Sequence, residues 1–85
     1  MAQGTRPEKV FRIGFVSASV FAHKVDSEEG TRTIRSVSIQ KRYRDGEDVK
    51  YTSSFNLAEL PLALRVIELA QHYVESKEAE VSLGD

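Results

Sequence analysis

No cysteine occurs anywhere in the 85 residues, so neither a disulfide nor a thiolate metal site can brace the fold. No apolar run approaches the length needed to span a bilayer. Met1 to Lys9 lacks the apolar stretch of a signal peptide and reads as a short polar tail. Absence of cysteine fits a reducing compartment, and the expected location is the cytoplasm. A single domain of this size buries a modest share of its surface. Without disulfides or a metal, oligomerisation is the common remaining way to enlarge so small a core.

Catalytic constellations are missing as well. The two histidines, His23 and His72, have no neighbouring partner at metal-ligand spacing. The serines alternate as in strands and form no nucleophile elbow, and Gly14, Gly30 and Gly46 are isolated, forming no phosphate-cradling loop. Asp26, Glu28 and Glu29 resemble a cation site only in composition, and a solvated turn accounts for them. The expectation is therefore a protein that is not an enzyme, with no catalytic residue, metal, cofactor or small-molecule substrate.

What the chain does have is strongly ordered. Lys9 to Val25 is rich in Val, Ile and Phe, and Val16, Ala18, Val20 and Ala22 alternate with Ser17, Ser19 and His23, the period of a half-buried strand. Before Gly14 the apolar phase shifts to Phe11 and Ile13, so the segment divides at Gly14 or Phe15. Asp26 to Thr31 is a polar turn, and a further strand runs from about Arg32 to Tyr43. Arg44-Asp45-Gly46-Glu47 is a hairpin signal, and Val49 to Phe55 forms the last strand. Asn56 with Glu59 three residues later reads as a capping box that opens a helix.

That helix carries an apolar stripe at Leu60, Ala63, Leu64, Ile67, Ala70, Tyr73 and Val74. Leu62, Val66 and Leu69 widen it, which points either to a sheet that wraps the helix or to a second copy of the chain. The second alternative places Leu62, Val66, Leu69 and Tyr73 at a dimer interface. The fold expected is α+β: an antiparallel sheet of three to four strands followed by one C-terminal amphipathic helix. Its parts are a flexible tail over 1–8, a β-β-β-β-α domain over 9–76 and an acidic, fraying tail over 77–85.

Charge is divided along the chain. Lys9 to Arg44 holds eight bases against three acids, whereas Asp45 to Asp85 holds three bases against nine acids. A basic sheet and an acidic helical region follow. If Val16, Ala18, Val20, Val37, Ile39, Tyr51 and Phe55 face the helix, the outer face carries Ser17, Ser19, Phe21, His23, Ser36, Ser38, Gln40, Arg42, Lys50, Thr52 and Ser54. Hydroxyls, an amide and bases suit phosphate and sugar contacts, and Phe21 and His23 add rings for stacking on unpaired bases. Tyr43 stands between Arg42 and Arg44. Each feature also has an ordinary explanation: Phe21 as a packing residue, Lys41 to Arg44 as a charged edge that blocks strand pairing.

Several short segments resemble the single-stranded-DNA-binding domain of the transcriptional coactivator positive cofactor four family and its whirly-like bacterial and phage relatives. Phe11-Arg12-Ile13-Gly14 is similar to that family's opening strand, Ser17 to Lys24 to its second, Val37 to Asp45 to its third, and Ser54-Phe55-Asn56 to its approach to the helix. The resemblance covers about Phe11 to Val74. It implies a curved sheet, dimerisation through the C-terminal helix and binding of unpaired DNA, with Phe21 and Tyr43 stacking and Lys24, Arg42, Arg44 and Lys50 on phosphates. Gln40 stands where the family carries an arginine, and the Asp45 to Asp48 turn is acidic. Residues and resemblance together give one expected site, Phe21, His23, Lys24, Gln40, Arg42, Tyr43, Arg44 and Lys50, for single-stranded nucleic acid on a homodimer. The alternatives are a protein-interaction module using the helix or a sheet edge, and an enzyme subunit completed by another chain.

Overall fold

Gly14 takes a positive φ of 61°, where a side chain would be strained, and it ends the first strand. In the computed structural model, which describes residues 6–83, β1 (Lys9–Ile13) turns through Gly14 and Phe15 into β2 (Val16–Ser27). Only the first central residue of this two-residue turn has positive φ, the pattern of the II′ hairpin class. The turn pairs Ile13 with Val16 and Phe11 with Ala18. Gly46, at φ 66°, makes a second such turn with Glu47 and pairs Asp45 with Asp48.

Between these turns lies β3 (Gly30–Asp45), paired along the whole of β2, and β4 (Asp48–Thr52) follows. The four strands form an antiparallel sheet in the order β1-β2-β3-β4. A 3-10 turn, Leu57–Glu59, leads into α1 (Leu60–Leu83). This is the α+β architecture expected, with the strand division at Gly14. The turn after β2 is tighter than the sequence suggests, since Ser27 pairs with Gly30 around Glu28 and Glu29.

The core lies between one face of the sheet and α1. Val16, Ala18 and Val20 of β2 meet Ala63, Val66 and Ala70 of the helix, and all six are buried. Alanine on both surfaces lets helix and sheet approach closely, and Phe11, Ile13, Ile39, Phe55, Leu62, Tyr73 and Val74 close the margins. Phe11 and Tyr73 meet edge-to-face with ring centroids 6.1 Å apart. The helix packs on β2, β1 and part of β3 and does not reach β4. No helix among the described residues is long and apolar enough to cross a membrane.

The helix is rotated from the expected stripe: Ala63, Ala70, Tyr73 and Val74 face the core as expected, and Val66 and Leu62 join them in place of Leu60, Leu64 and Ile67. Val66 has no exposed surface, and Leu62 and Tyr73 pack against the same core. Leu69 is half-buried. Leu62, Val66 and Tyr73, expected at an interface between copies, therefore serve the protomer's own core. Leu57, Leu60, Leu64 and Ile67, three of which belonged to the expected core stripe, are exposed, Leu57 by 83% and Leu64 by 62%. Close approach to Ala18 selects the small side of the helix, Ala63, Val66 and Ala70, and turns the bulkier leucines outward.

Two ends of the chain also depart from expectation. Glu8, placed in the flexible tail, donates its N–H to the Val20 carbonyl at 2.6 Å and receives both arms of the Arg35 guanidinium, at 2.7 and 3.1 Å. The helix continues beyond 76 to Leu83, through residues that favour helix and contain no glycine or proline. Residues 1–5 and 84–85 of the expected tails lie outside the described residues.

The capping box is present as expected. The Glu59 N–H donates to Asn56 Oδ1 at 3.2 Å, and the Asn56 N–H donates to Glu59 Oε1 at 2.9 Å. Lys41 Nζ donates to the same carboxylate, tying the helix start to β3. The Lys41 hydrogen bond first, then the Asn56 N–H, hold the Glu59 carboxyl below its ordinary value of 4.5. A carboxyl depressed by folding stabilises the fold fully above its unfolded value, and that contribution disappears as pH falls through the folded one. Glu59→Gln retains a capping-box side chain but loses the charge. Its melting temperature should lie below that of the parent near neutrality, with the gap closing below about pH 4. A gap that persists in acid would assign the effect to packing instead.

Candidate nucleic-acid interface

Directly opposed residues of an antiparallel pair share a face, so the register assigns every side chain to a side of the sheet. The outer face carries Val10 and Arg12 from β1, and Phe15, Ser17, Ser19, Phe21, His23 and Val25 along β2 and the turn before it. From β3 come Arg32, Ile34, Ser36, Ser38, Gln40, Arg42 and Arg44, and from β4 Val49 and Tyr51. No Asp or Glu occupies the outer positions of β2, β3 or β4. Phe21, His23, Gln40, Arg42 and Arg44 thus share the face on which they were expected.

Lys24, Tyr43 and Lys50 do not. Lys24 pairs with Thr33, and Tyr43 with Lys50, on the helix side of the sheet. Lys50 Nζ is engaged with Asp45 at 2.9 Å. Thr52 and Ser54 also belong to the helix side, where they border a concavity with Lys41 and Tyr43. Tyr51 moves the other way, out beside Arg42. The physical reason is the turn: two residues, Gly46 and Glu47, pair Asp45 with Asp48, and that register puts Tyr51 on the outer side.

The consequence is a row running from β4 across β3 to the turn before β2. The Arg42 N–H donates to the Phe15 carbonyl at 2.9 Å, and Arg42 is the register partner of Tyr51. Neighbouring strands lie about 4.8 Å apart, so an arginine stands between two aromatic residues. Phe15 is 41% and Tyr51 59% exposed, so both rings are open to a ligand. The next row is Arg12, Ser17 and Gln40, and the one after it Val10, Ser19 and Ser38.

These rows enclose a groove of about 210 Å³ lined by Arg12, Phe15, Ser17, Ser19, Gln40, Arg42 and Tyr51, with Pro7, Val10 and Gly14 at its margins. Sites that enclose a small molecule hold roughly 300–1,000 Å³, so this one suits part of a longer ligand. Arg42 also borders a second concavity of about 350 Å³ with Tyr43, Arg44 and Val49. Tyr43 therefore rejoins the basic residues at the sheet's end even though it alternates to the other side. Phe21 is half-buried beyond Ser19, and His23 Nε2 lies 3.4 Å from Ser36 Oγ.

Charge is sorted between the faces. On the helix side Arg35 pairs with Glu8, Lys41 with Glu59 and Lys50 with Asp45. The Arg35 hydrogen bonds also hold the Glu8 carboxyl below its ordinary value. Among the described residues, Arg12, Arg42 and Arg44 on the outer face have no carboxylate partner. Arg12, Phe15 and Tyr51 were not in the expected site. Counting residues through the two-residue turns is the signal that finds them, because it yields side as well as strand. Comparison of the chain with protein-family models, with curated proteins and with solved structures finds no match.

Proposed function

We propose that the protein is a non-enzymatic module that binds single-stranded nucleic acid across the outer face of its sheet, with little sequence preference. The observation that carries this reading is the row Phe15–Arg42–Tyr51: exposed rings flanking an arginine that has no carboxylate partner among the described residues. Phosphates lie on Arg12, Arg42 and Arg44, and unpaired bases stack on Phe15 and Tyr51, contacts that any base can make. Phe21, His23 and Gln40 extend the same face, and Tyr43 adds a ring at the Arg44 end.

The exposed flank Leu57, Leu60, Leu64 and Ile67 supports assembly as a homodimer, because a core of six small and medium side chains leaves much apolar surface outside. A cytoplasmic setting agrees with the cysteine-free sequence. Titration of a labelled oligo-dT at two salt concentrations, with the mass of the complex measured in parallel, tests both statements. Binding should weaken steeply with salt, because neutralised phosphates release counterions. Binding of neither this strand nor oligo-U at low salt, or affinity indifferent to salt, removes the reading.

The same leucine flank also favours a second reading, a protein-interaction module docking another chain on the helix. A Phe15→Ala, Arg42→Ala double variant separates the two. Loss of oligonucleotide binding with a helix-bound partner retained assigns the flank to that partner.

A further inference from the structure

The floor of the outer groove has a chemistry different from its rim. Arg12 and Arg42 supply donors only, which is what phosphate oxygens require. Between them lie Ser17, Ser19 and Gln40, each half-buried. Among the described residues none of these three side chains makes an intramolecular hydrogen bond. Polar groups that are free of intramolecular partners and still reached by solvent are available to a ligand. A hydroxyl donates and accepts, and so does an amide. A floor made for phosphate alone needs no acceptors, and this one offers them at every position. The sugar hydroxyl of a ribonucleotide, itself donor and acceptor, fits such a floor, whereas deoxyribose offers its ring oxygen as an acceptor but no donor.

Spacing agrees. Ser17 and Ser19 are two residues apart on β2, about 6.6–6.8 Å along a strand. That is roughly twice the ~3.4 Å rise per nucleotide of a stacked strand. Nucleotides following the ladder are pulled off one another, and their bases are released to the rings of Phe15 and Tyr51. Unstacked bases on aromatic side chains with sugar hydroxyls held below are the usual form of single-stranded RNA recognition.

We infer that the groove selects ribose, so that the ligand of this face is single-stranded RNA, its 2′-hydroxyls bonded to Ser17, Ser19 and Gln40 between phosphates held by Arg12 and Arg42. The inference rests on the nucleic-acid reading above, and it departs from the DNA that the family resemblance implies. It is tested by anisotropy titration of the full chain with labelled oligo-U, oligo-dU and 2′-O-methyl oligo-U of equal length at one salt concentration. Oligo-U should bind about tenfold more tightly than oligo-dU, or more, a difference of about 1.4 kcal/mol. The methylated strand, which has lost the donor, should lie near oligo-dU. A Ser17→Ala, Ser19→Ala, Gln40→Ala variant should bring the ribose-to-deoxyribose ratio close to one, whatever its absolute affinity. Ser17→Thr, which keeps a hydroxyl on a β-favouring residue, should retain the preference. Equal affinity of the parent protein for oligo-U and oligo-dU overturns the ribose inference and leaves nucleic-acid binding standing. A triple variant that keeps the full ratio overturns the assignment to these side chains. Binding of neither strand overturns both.

Discussion

Replacing Tyr51 with alanine should weaken single-stranded oligonucleotide binding about 5- to 150-fold, the equivalent of roughly 1–3 kcal/mol for one lost base stack. Tyr51 is 59% exposed, so folding gains little from its ring and the melting temperature should hardly move. Phe15→Ala should behave alike, since Phe15 stands across Arg42 on the neighbouring chain segment. The contrast lies with Lys50. Both it and Tyr51 are on β4 one residue apart, but Lys50 faces the helix side and is paired with Asp45. Lys50→Ala should leave affinity within about twofold, as exposed ion pairs contribute little. Fluorescence titration of the three variants at low salt reads the difference directly. Equal losses at Tyr51 and Lys50 would mean that the ligand does not distinguish the two faces, and the site as drawn would be wrong.

Val66→Asp should lower the melting temperature by roughly 12–40 °C. Val66 has no exposed surface and belongs to the core cluster formed with Val16, Ala18 and Val20 of the sheet. An uncompensated buried charge costs about 3–5 kcal/mol, against a total stability of about 4–13 kcal/mol for a chain of this length. No disulfide limits the unfolded ensemble and no larger core absorbs the loss. Leu64→Asp, two residues earlier on the helix, should leave the circular dichroism of the helix intact, because Leu64 is 62% exposed. Its effect should appear in mass instead: if Leu57, Leu60, Leu64 and Ile67 hold two copies together, the variant sediments as a monomer. A Val66→Asp protein as stable as the parent would overturn the helix orientation, and a parent mass unchanged by Leu64→Asp would move any interface away from this flank.

The pair of variants also marks where sequence reading stops. Seven apolar residues recur along α1 at helical spacing, and periodicity alone recognises the helix but not which of two adjacent stripes meets the sheet. The 3-10 turn Leu57–Glu59, held by Asn56 and Lys41, sets the helix's rotation at its start. Ala18 beneath it then favours the face with Ala63 and Ala70. Bulk and hydropathy would have chosen Leu60 and Leu64. Closeness of packing chose otherwise.

Strand order, the break at Gly14, the hairpin at Gly46 and the capping box at Asn56 were legible from residue chemistry, because each is a local event: a backbone angle only glycine takes easily, or a side chain reaching a backbone N–H three residues away. The composition of the outer face was legible for the same reason over β2 and β3, where strict alternation runs without interruption. Alternation by itself gives two sets and no label. In β4 the pattern puts Tyr51 on the helix side, because apolar residues usually face a core, and Val49 two residues before it shares its face. The helix does not reach β4, so no core is there to claim them, and the register through Gly46 and Glu47 turns them outward beside Arg44 and Arg42. Local chemistry determined which elements this protein has and in what order. Only the tertiary structure decided which side each residue serves, since sidedness depends on register counted across turns and on how far the helix extends over the sheet.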